Sequence, residues 1–262
     1  MILLREGSAN QADALFMELT TSPLPAPQLM LFPSGGGVPD WFFRDGMAER
    51  ALINWVIDNF ITADTAFLDI GAHVGTYTWT CGRKARHTHA FECSPVAFCH
   101  LAANVALHGL AERVTLCQLA LGEYEGETEL YVRSVDGGGN GVKRLTGNEG
   151  PPTRRVRMTR LDTLDIQTPI GFIKLDVEGA EREVLLGSTK TLQPNNRPPI
   201  LFESWGAWKE AEGVQARQLR NELFGTLTDL GYAVVEVAGC RDTFLAMAAC
   251  QHGHRGEPGF HI

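Results

Sequence analysis

The segment that most restricts the fold is TAFLDIGAHVG, in which the apolar run Ala66 to Ile70 gives way to two glycines and then to a helical stretch from Tyr77 to Arg83. A short apolar run bounded by glycines reads as a strand buried on both faces, and a strand that feeds directly into a helix is the unit of a parallel sheet. The unit recurs. A strand at His87 to Glu92 precedes a Ser-Pro helix start and a helix over Val96 to Leu107, where Val96, His100, Ala103, Asn104 and Leu107 share a face and Gly109 acts as the stop. Strands follow at Val114 to Leu119, at Phe172 to Val177 with a helix at Ala180 to Leu186 behind it, and at Ile200 to Glu203. Ahead of them, Met47, Ala51, Leu52, Trp55, Val56 and Phe60 recur at helical spacing. Strand–helix alternation over residues 66–230 therefore predicts an α/β fold, a parallel sheet covered on both faces. The chain then departs from plain alternation. After a helix carrying Leu219, Leu223, Leu227 and Leu230, capped by Gly231, the runs YAVVEV and TFLAMA flank a short polar turn and predict an antiparallel hairpin.

Between the third and fourth strands the period changes to two over an insertion at residues 123–160. In ETELYVR, Glu127, Glu129 and Tyr131 face one way; in RRVRMTR, Arg155, Arg157 and Thr159 alternate with Val156 and Met158. Opposite charges on matching faces predict an antiparallel pair, which accounts for the arginines better than an anion-binding patch does. DGGGNG, residues 136–141, links the pair and reads as a mobile loop, a hinge or lid candidate. Residues 1–46 read as an irregular arm with a short helix around Ala12 to Leu19. The methyl-to-tail division that follows is a main domain at 47–250 and a flexible tail at 251–262.

Composition narrows the partners. With 23 basic against 31 acidic residues the net charge is −8, unsuited to a nucleic-acid partner, which calls for clustered Lys and Arg. No apolar stretch reaches the ~18 residues needed to cross a bilayer, and no export signal is visible, so the expectation is a cytoplasmic protein without a membrane partner. The six cysteines form no C-x-x-C pair and read as buried reduced thiols. The 28 glycines in 262 residues exceed the usual share of ~7% and point to turns and close approaches.

The chemistry sits at strand tips. Gly71 permits a sharp turn and lets a ligand lie against bare backbone, and Gly75 permits close packing of the helix start. A dinucleotide fingerprint would have glycine at position 73, where this chain has His73, and an aspartate at position 69 would repel a pyrophosphate while attracting an ammonium. Glu92, 23 residues after Asp69, stands where open α/β sheets place an acceptor for ribose hydroxyls. Amino acid plus nucleoside points to S-adenosylmethionine. Asp176 and Glu178, in KLDVEGAE, and Glu203, in ILFES, add carboxylates at the same sheet edge. They are candidates to orient an acceptor hydroxyl, take its proton or hold a divalent cation. Glu181 reads as favouring the helix dipole. No histidine pair marks a tight metal site: His87 and His89 alternate along a strand, and His252 and His254 lie in the tail.

Taken in order, FLDIGAHVGTYT, FECSP, AANVALHGL, LALGEYEGETELYV, RLDTL, FIKLDVEGAEREVLLGS and ILFES resemble the FkbM family of S-adenosylmethionine-dependent methyltransferases, over about Glu49 to Ala248. The resemblance implies the class I methyltransferase (Rossmann-like) sheet with an antiparallel last strand, and O-methylation of a sugar or natural-product small molecule. It implies that Asp69, Gly71, Ala72 and Gly75 surround the methionine part of the cofactor, with Glu92 at the ribose and Gln118, Leu119 and Ala120 at the adenine. The sequence departs from the family at His73, often Asn, which is either a cofactor-side donor, a substrate-facing group or a helix-start residue. It departs again at Cys93, where Pro is common. An NAD-dependent oxidoreductase and a non-catalytic cofactor-binding module are the alternatives. Trp41, Phe42, Phe43, Trp205 and Trp208 are candidates to stack on the acceptor, with core packing as the commoner fate of such residues.

Overall fold

Lined up edge to edge, the apolar runs form one seven-stranded sheet in the computed structural model, which describes residues 14–19, 28–33, 49–133, 139–143, 145, 152, 154–193 and 197–249. At its centre is β3 (Ala66–Ile70), buried at every position. On one side β3 pairs in parallel with β4 (His87–Phe91), which pairs with β5 (Val114–Cys117). On the other side it pairs with β9 (Ile170–Leu175), which pairs with β10 (Ile200–Glu203). The hairpin of β11 (Tyr232–Glu236) and β12 (Thr243–Ala248) completes the sheet, with β12 inserted antiparallel beside β10, giving the order β11-β12-β10-β9-β3-β4-β5. The mostly parallel sheet with one antiparallel strand is the arrangement expected for a class I methyltransferase. The chain winds away from β3 in both directions, so a crevice opens at the carboxyl ends of β3, β4 and β9, the switch point where open α/β sheets bind ligands.

Helices cover both faces. Helix α1 (Arg50–Asn59), α2 (Thr76–Gly82) and α3 (Pro95–Leu107) lie over one face, where Trp79, Phe67, Phe172 and Leu101 form the core. Helices α4 (Glu181–Leu186) and α5 (Ala216–Asp229) cover the other, over Phe91, Phe202, Val184 and Leu227. The face of α3 differs from the expected one: Ala97, Leu101, Asn104 and Val105 are buried, whereas Val96 and Leu107 are about half exposed. Because α3 is apolar around most of its circumference, its periodicity points weakly. The inward side is set instead by Asn104, whose Nδ2 donates to the Val74 carbonyl at 2.8 Å.

Three expectations change. Residues around Ala12 to Leu19 are not helical: β1 (Ala14–Leu19) pairs antiparallel with β2 (Gln28–Pro33), Phe16 opposite Leu31. A six-residue apolar run cannot be told from a helical turn by period alone, and its partner lies beyond a Pro-rich link. The third strand ends at Cys117, and β6 (Ala120–Leu121) leaves the sheet to pair in parallel with the insertion. Of the five described cysteines only Cys81 is fully buried, and Cys99 is exposed; all five are free thiols.

The insertion folds as read. Strand β7 (Gly126–Leu130) runs antiparallel to β8 (Arg154–Thr159), with Glu127 opposite Arg157 and Glu129 opposite Arg155. Arg155 also reaches Glu127 at 3.3 Å, and Arg160 reaches Glu125 at 3.4 Å. Residues 134–138, the first part of the glycine-rich link, lie outside the described residues, as do Trp41, Phe42, Phe43, His252, His254 and Cys250.

Candidate active site

Two turns bracket the crevice. The first leaves β3 at Ile70. Gly71 has φ +81°, and a Cβ there would sit 1.7 Å from the Asp176 carbonyl oxygen. The bare α-carbon therefore admits the neighbouring turn of the protein itself, where a ligand was expected. The amides of Gly71 and Ala72 both donate to the Phe91 carbonyl at 2.9 Å. His73 follows in the left-handed region at φ +52°, a conformation in which Asn, Asp and His are enriched. That explains how His stands where relatives often have Asn. Gly75, at φ +94°, packs within contact of Leu101.

A buried carboxylate clasps this turn. Glu92 Oε2 accepts from the His73 amide at 2.9 Å, and Oε1 from the Ser94 amide at 2.6 Å. Burial raises the Glu92 carboxyl to about 7, against the lowering effect of those two bonds. Each oxygen retains a lone pair toward the crevice. Asp69 is 1% exposed, and its Oδ2 accepts from the Thr78 hydroxyl at 2.5 Å. Burial raises it to about 6, with Lys174 and Thr78 acting in opposition.

The second turn, Asp176 to Gly179, follows β9 and is clasped in the same way. The Asp176 amide donates to the Ile70 carbonyl at 2.9 Å. Glu178 (φ +55°) and Gly179 (φ +96°) are both left-handed, a strained pair of the kind that gathers at functional sites. Glu181 Oε1 accepts from the amides of Val177 and Gly179 at 3.2 and 3.1 Å, which gives it the structural role expected of it. Burial lifts its carboxyl to about 7.

At the edge of this turn Lys174 Nζ lies 2.6 Å from Asp176 Oδ2. Burial alone would strip the lysine of its charge, but Asp176, Glu49, Glu203 and Asp69 outweigh it and hold the ammonium above its ordinary range. Glu203, pushed up first by Asp176 and then by burial, titrates at about 8. Glu178 is raised by burial and then by Asp176, Glu181 and Glu203. Among the described residues no group of three or more His, Cys, Asp or Glu is arranged to hold a metal ion; the cation beside Asp176 is the Lys174 ammonium.

The two turns enclose a cavity of about 430 Å³, within the ~300–1,000 Å³ usual for small-molecule sites. Of the residues expected at the cofactor, Asp69, Gly71, Ala72, His73, Glu92, Leu119 and Ala120 line it, as do the expected catalytic carboxylates Asp176, Glu178 and Glu203. Gln118 is exposed and outside the lining, because the chain turns away after Cys117, and Gly75 faces α3. Trp205 packs against Gly179, and Trp208 is 48% exposed with Nε1 donating to Asp242 at 2.6 Å, so neither lines this cavity. His87 bonds Thr115 at 2.8 Å at the far side of the sheet.

Sequence reasoning missed three lining residues: Glu49, Tyr77 and Lys174. Lys174 had a readable signal, since a lysine one residue before the last two of an apolar strand needs a carboxylate partner. Glu49 and Tyr77 had none, because only the packing of α1 against α2 brings them to the crevice. From the insertion, Asn140, Gly141 and Val142 close one wall. They are held by Arg133, whose amide donates to Asn140 Oδ1 at 2.8 Å, and by Lys143, paired with Glu183 at 2.7 Å.

No helix among the described residues is long and apolar enough to cross a membrane. The chain is similar to the hexuronic acid methyltransferase AglP of Haloferax volcanii, 26% identical over 159 residues that cover 60% of this chain and 63% of the relative. It thus spans somewhat less than two thirds of that protein. Among solved structures it is similar to a methyltransferase FkbM from Methylobacillus flagellatus, at 17% identity and TM-score 0.48, covering 71% of this chain and 44% of the other. It is also similar to a SAM-dependent O-methyltransferase from Thermotoga maritima, at 10% identity and TM-score 0.46, covering 91% and 79%. The model of the methyltransferase FkbM domain matches residues 69–234, from the tip of β3 through β11 and with both clasped turns inside it. Since that match takes in more than half of the sequence, the chain belongs to the FkbM methyltransferase family.

Proposed function

We propose that the protein transfers a methyl group from S-adenosylmethionine to a hydroxyl of a sugar or natural-product small molecule. The observation that carries this reading is the composition of the cavity wall. Six carboxylates (Glu49, Asp69, Glu92, Asp176, Glu178, Glu203) meet a single lysine, and Phe91, Leu119, Ala120 and Leu121 form an apolar flank. Such a wall suits a ligand that joins cationic centres to a flat apolar ring, and Glu92 keeps acceptor capacity for ribose hydroxyls. Membership of the family supports the same cofactor.

S-adenosylmethionine, when bound, supplies a sulfonium-activated methyl group. The chain's part is to place the acceptor oxygen in line with that methyl, to exclude water and to take the hydroxyl proton as attack proceeds. Asp176 is the base in this reading. Its carboxylate is held by Lys174, which fixes its orientation, and it stands at the junction of both turns. Glu203 and Glu178, which retain protons near neutral pH, are hydrogen-bond donors to acceptor oxygens.

Calorimetry is the test. S-adenosylhomocysteine should bind in the micromolar range while NAD gives no heat, and mass spectrometry should detect a methylated product from a panel of hydroxylated acceptors. Asp176→Asn should lower kcat ~10²–10⁴-fold, the usual contribution of a general base, while still binding S-adenosylhomocysteine. Full turnover by that variant would remove Asp176 from the role.

A further inference from the structure

Beyond the reaction class, the walls of the cavity bear on the charge of the acceptor. This step rests on the methyltransferase reading of the same cavity. At the end away from the glycine turn, Glu49, Tyr77, Lys174, Asp176 and Glu203 converge. Lys174, the only lysine or arginine among the described lining residues, is already paired with Asp176 at 2.6 Å and lies 5.1 Å above the Tyr77 ring. It is held under the carboxylates, so an incoming anion would have to displace Asp176 to reach it. Tyr77 is 5% exposed, and its hydroxyl makes no hydrogen bond. Glu49 lies close enough for its charge to perturb that hydroxyl, yet the two do not meet in hydrogen-bonding geometry.

A buried phenol left without a partner is costly, and its simplest satisfaction is a ligand atom. Glu49 is crowded by the pocket wall, which raises its carboxyl, although part of its surface still meets solvent. An acceptor group that can donate to Glu49 and accept from or donate to Tyr77 would satisfy both. A carboxylate can donate to neither, and would stand against Glu49, Asp176 and Glu203 with no counter-ion free of Asp176. An ammonium donates three hydrogen bonds, accepts none and relieves the repulsion.

We infer that the Glu49–Tyr77 end of the cavity is a subsite for an amine-bearing hydroxylated acceptor, an amino sugar or amino alcohol, and that it discriminates against uronic acids. The relative AglP is named for a hexuronic acid substrate; the subsite makes this chain's acceptor the opposite in charge.

The test uses the full chain saturated with S-adenosylhomocysteine, so that the cofactor part of the cavity is filled, and titrates it with glucosamine, glucose and glucuronate as probes. Glucosamine should bind at least ten-fold more tightly than glucuronate, with glucose between them. Glu49→Gln should cut the glucosamine-to-glucose ratio several-fold without lowering glucose affinity to match, a change that mere loosening of the fold would not produce. Equal binding of the three, preference for glucuronate, no binding of glucosamine or an unchanged ratio in Glu49→Gln would overturn the inference. These outcomes are separable from failure of the reaction class, which would show as no binding of S-adenosylhomocysteine at the outset.

Discussion

Replacing Gly71 by alanine tests the central structural claim, that this glycine exists to let two turns of the protein touch. Two costs can be separated. An alanine at φ +81° occupies the left-handed region at ~1–2 kcal/mol. Its Cβ would also fall 1.7 Å from the Asp176 carbonyl oxygen, a backbone atom that cannot swing aside, and forced overpacking of this kind costs ~1–3 kcal/mol or more. The sum is roughly 2–5 kcal/mol, which for a protein of this size lowers Tm by roughly 4–20 °C. Gly109 supplies the control. It has φ +67° but nothing within 4 Å of a Cβ, so Gly109→Ala should show only the conformational part, roughly 2–8 °C. Because relief of the Gly71 clash must push the 176–179 turn away from the glycine turn, Gly71→Ala should also weaken S-adenosylhomocysteine binding at least ten-fold, and Gly109→Ala should not. Melting by circular dichroism and calorimetry read both. If Gly71→Ala melts with Gly109→Ala and keeps cofactor affinity, the close approach is not what the glycine is for.

Two further outcomes follow from buried polar groups. Asn104→Ala removes the 2.8 Å bond to the Val74 carbonyl in the interior and should cost ~1–3 kcal/mol in a urea titration; an unchanged midpoint would show that water replaces the amide. The second concerns pH. Asp69 titrates at about 6, Glu92 and Glu181 at about 7 and Glu203 at about 8, all above their unfolded values. Between pH ~4.5 and 8 the native state therefore binds more protons than the unfolded chain, and stability falls as pH rises, levelling off beyond pH 8. Even one pKa unit, ~1.4 kcal/mol, moves Tm by roughly 3–6 °C, so a Tm that is flat or rising from pH 5 to 8 would contradict the buried carboxylates.

Much of the site was legible because strand tips are legible. Asp69, Glu92, Asp176 and Glu203 each end an apolar run, and in a parallel sheet all such ends lie on one edge, so their convergence followed from the topology alone. The antiparallel β7–β8 pair was equally readable from alternating charge. What misled was local degeneracy. Residues 14–19 are too short for period to separate strand from helix, α3 is apolar on nearly every side, and the run Val114 to Leu119 hides the point after Cys117 where the chain changes sheets and carries Gln118 out of the cavity.

By itself, then, the sequence determined the layered α/β architecture, the hairpin that closes it and the edge on which chemistry occurs, because burial periodicity and glycine turns act over a few residues. Only the tertiary structure decided what each turn touches. It assigned the bare face of Gly71 to the Asp176 carbonyl, made Glu92 and Glu181 the clasps of two matching turns, and brought Glu49, Tyr77 and Lys174 to the cavity from three elements 125 positions apart at the extremes. Contacts of that range depend on how helices pack over the sheet, and no local pattern in the chain encodes them.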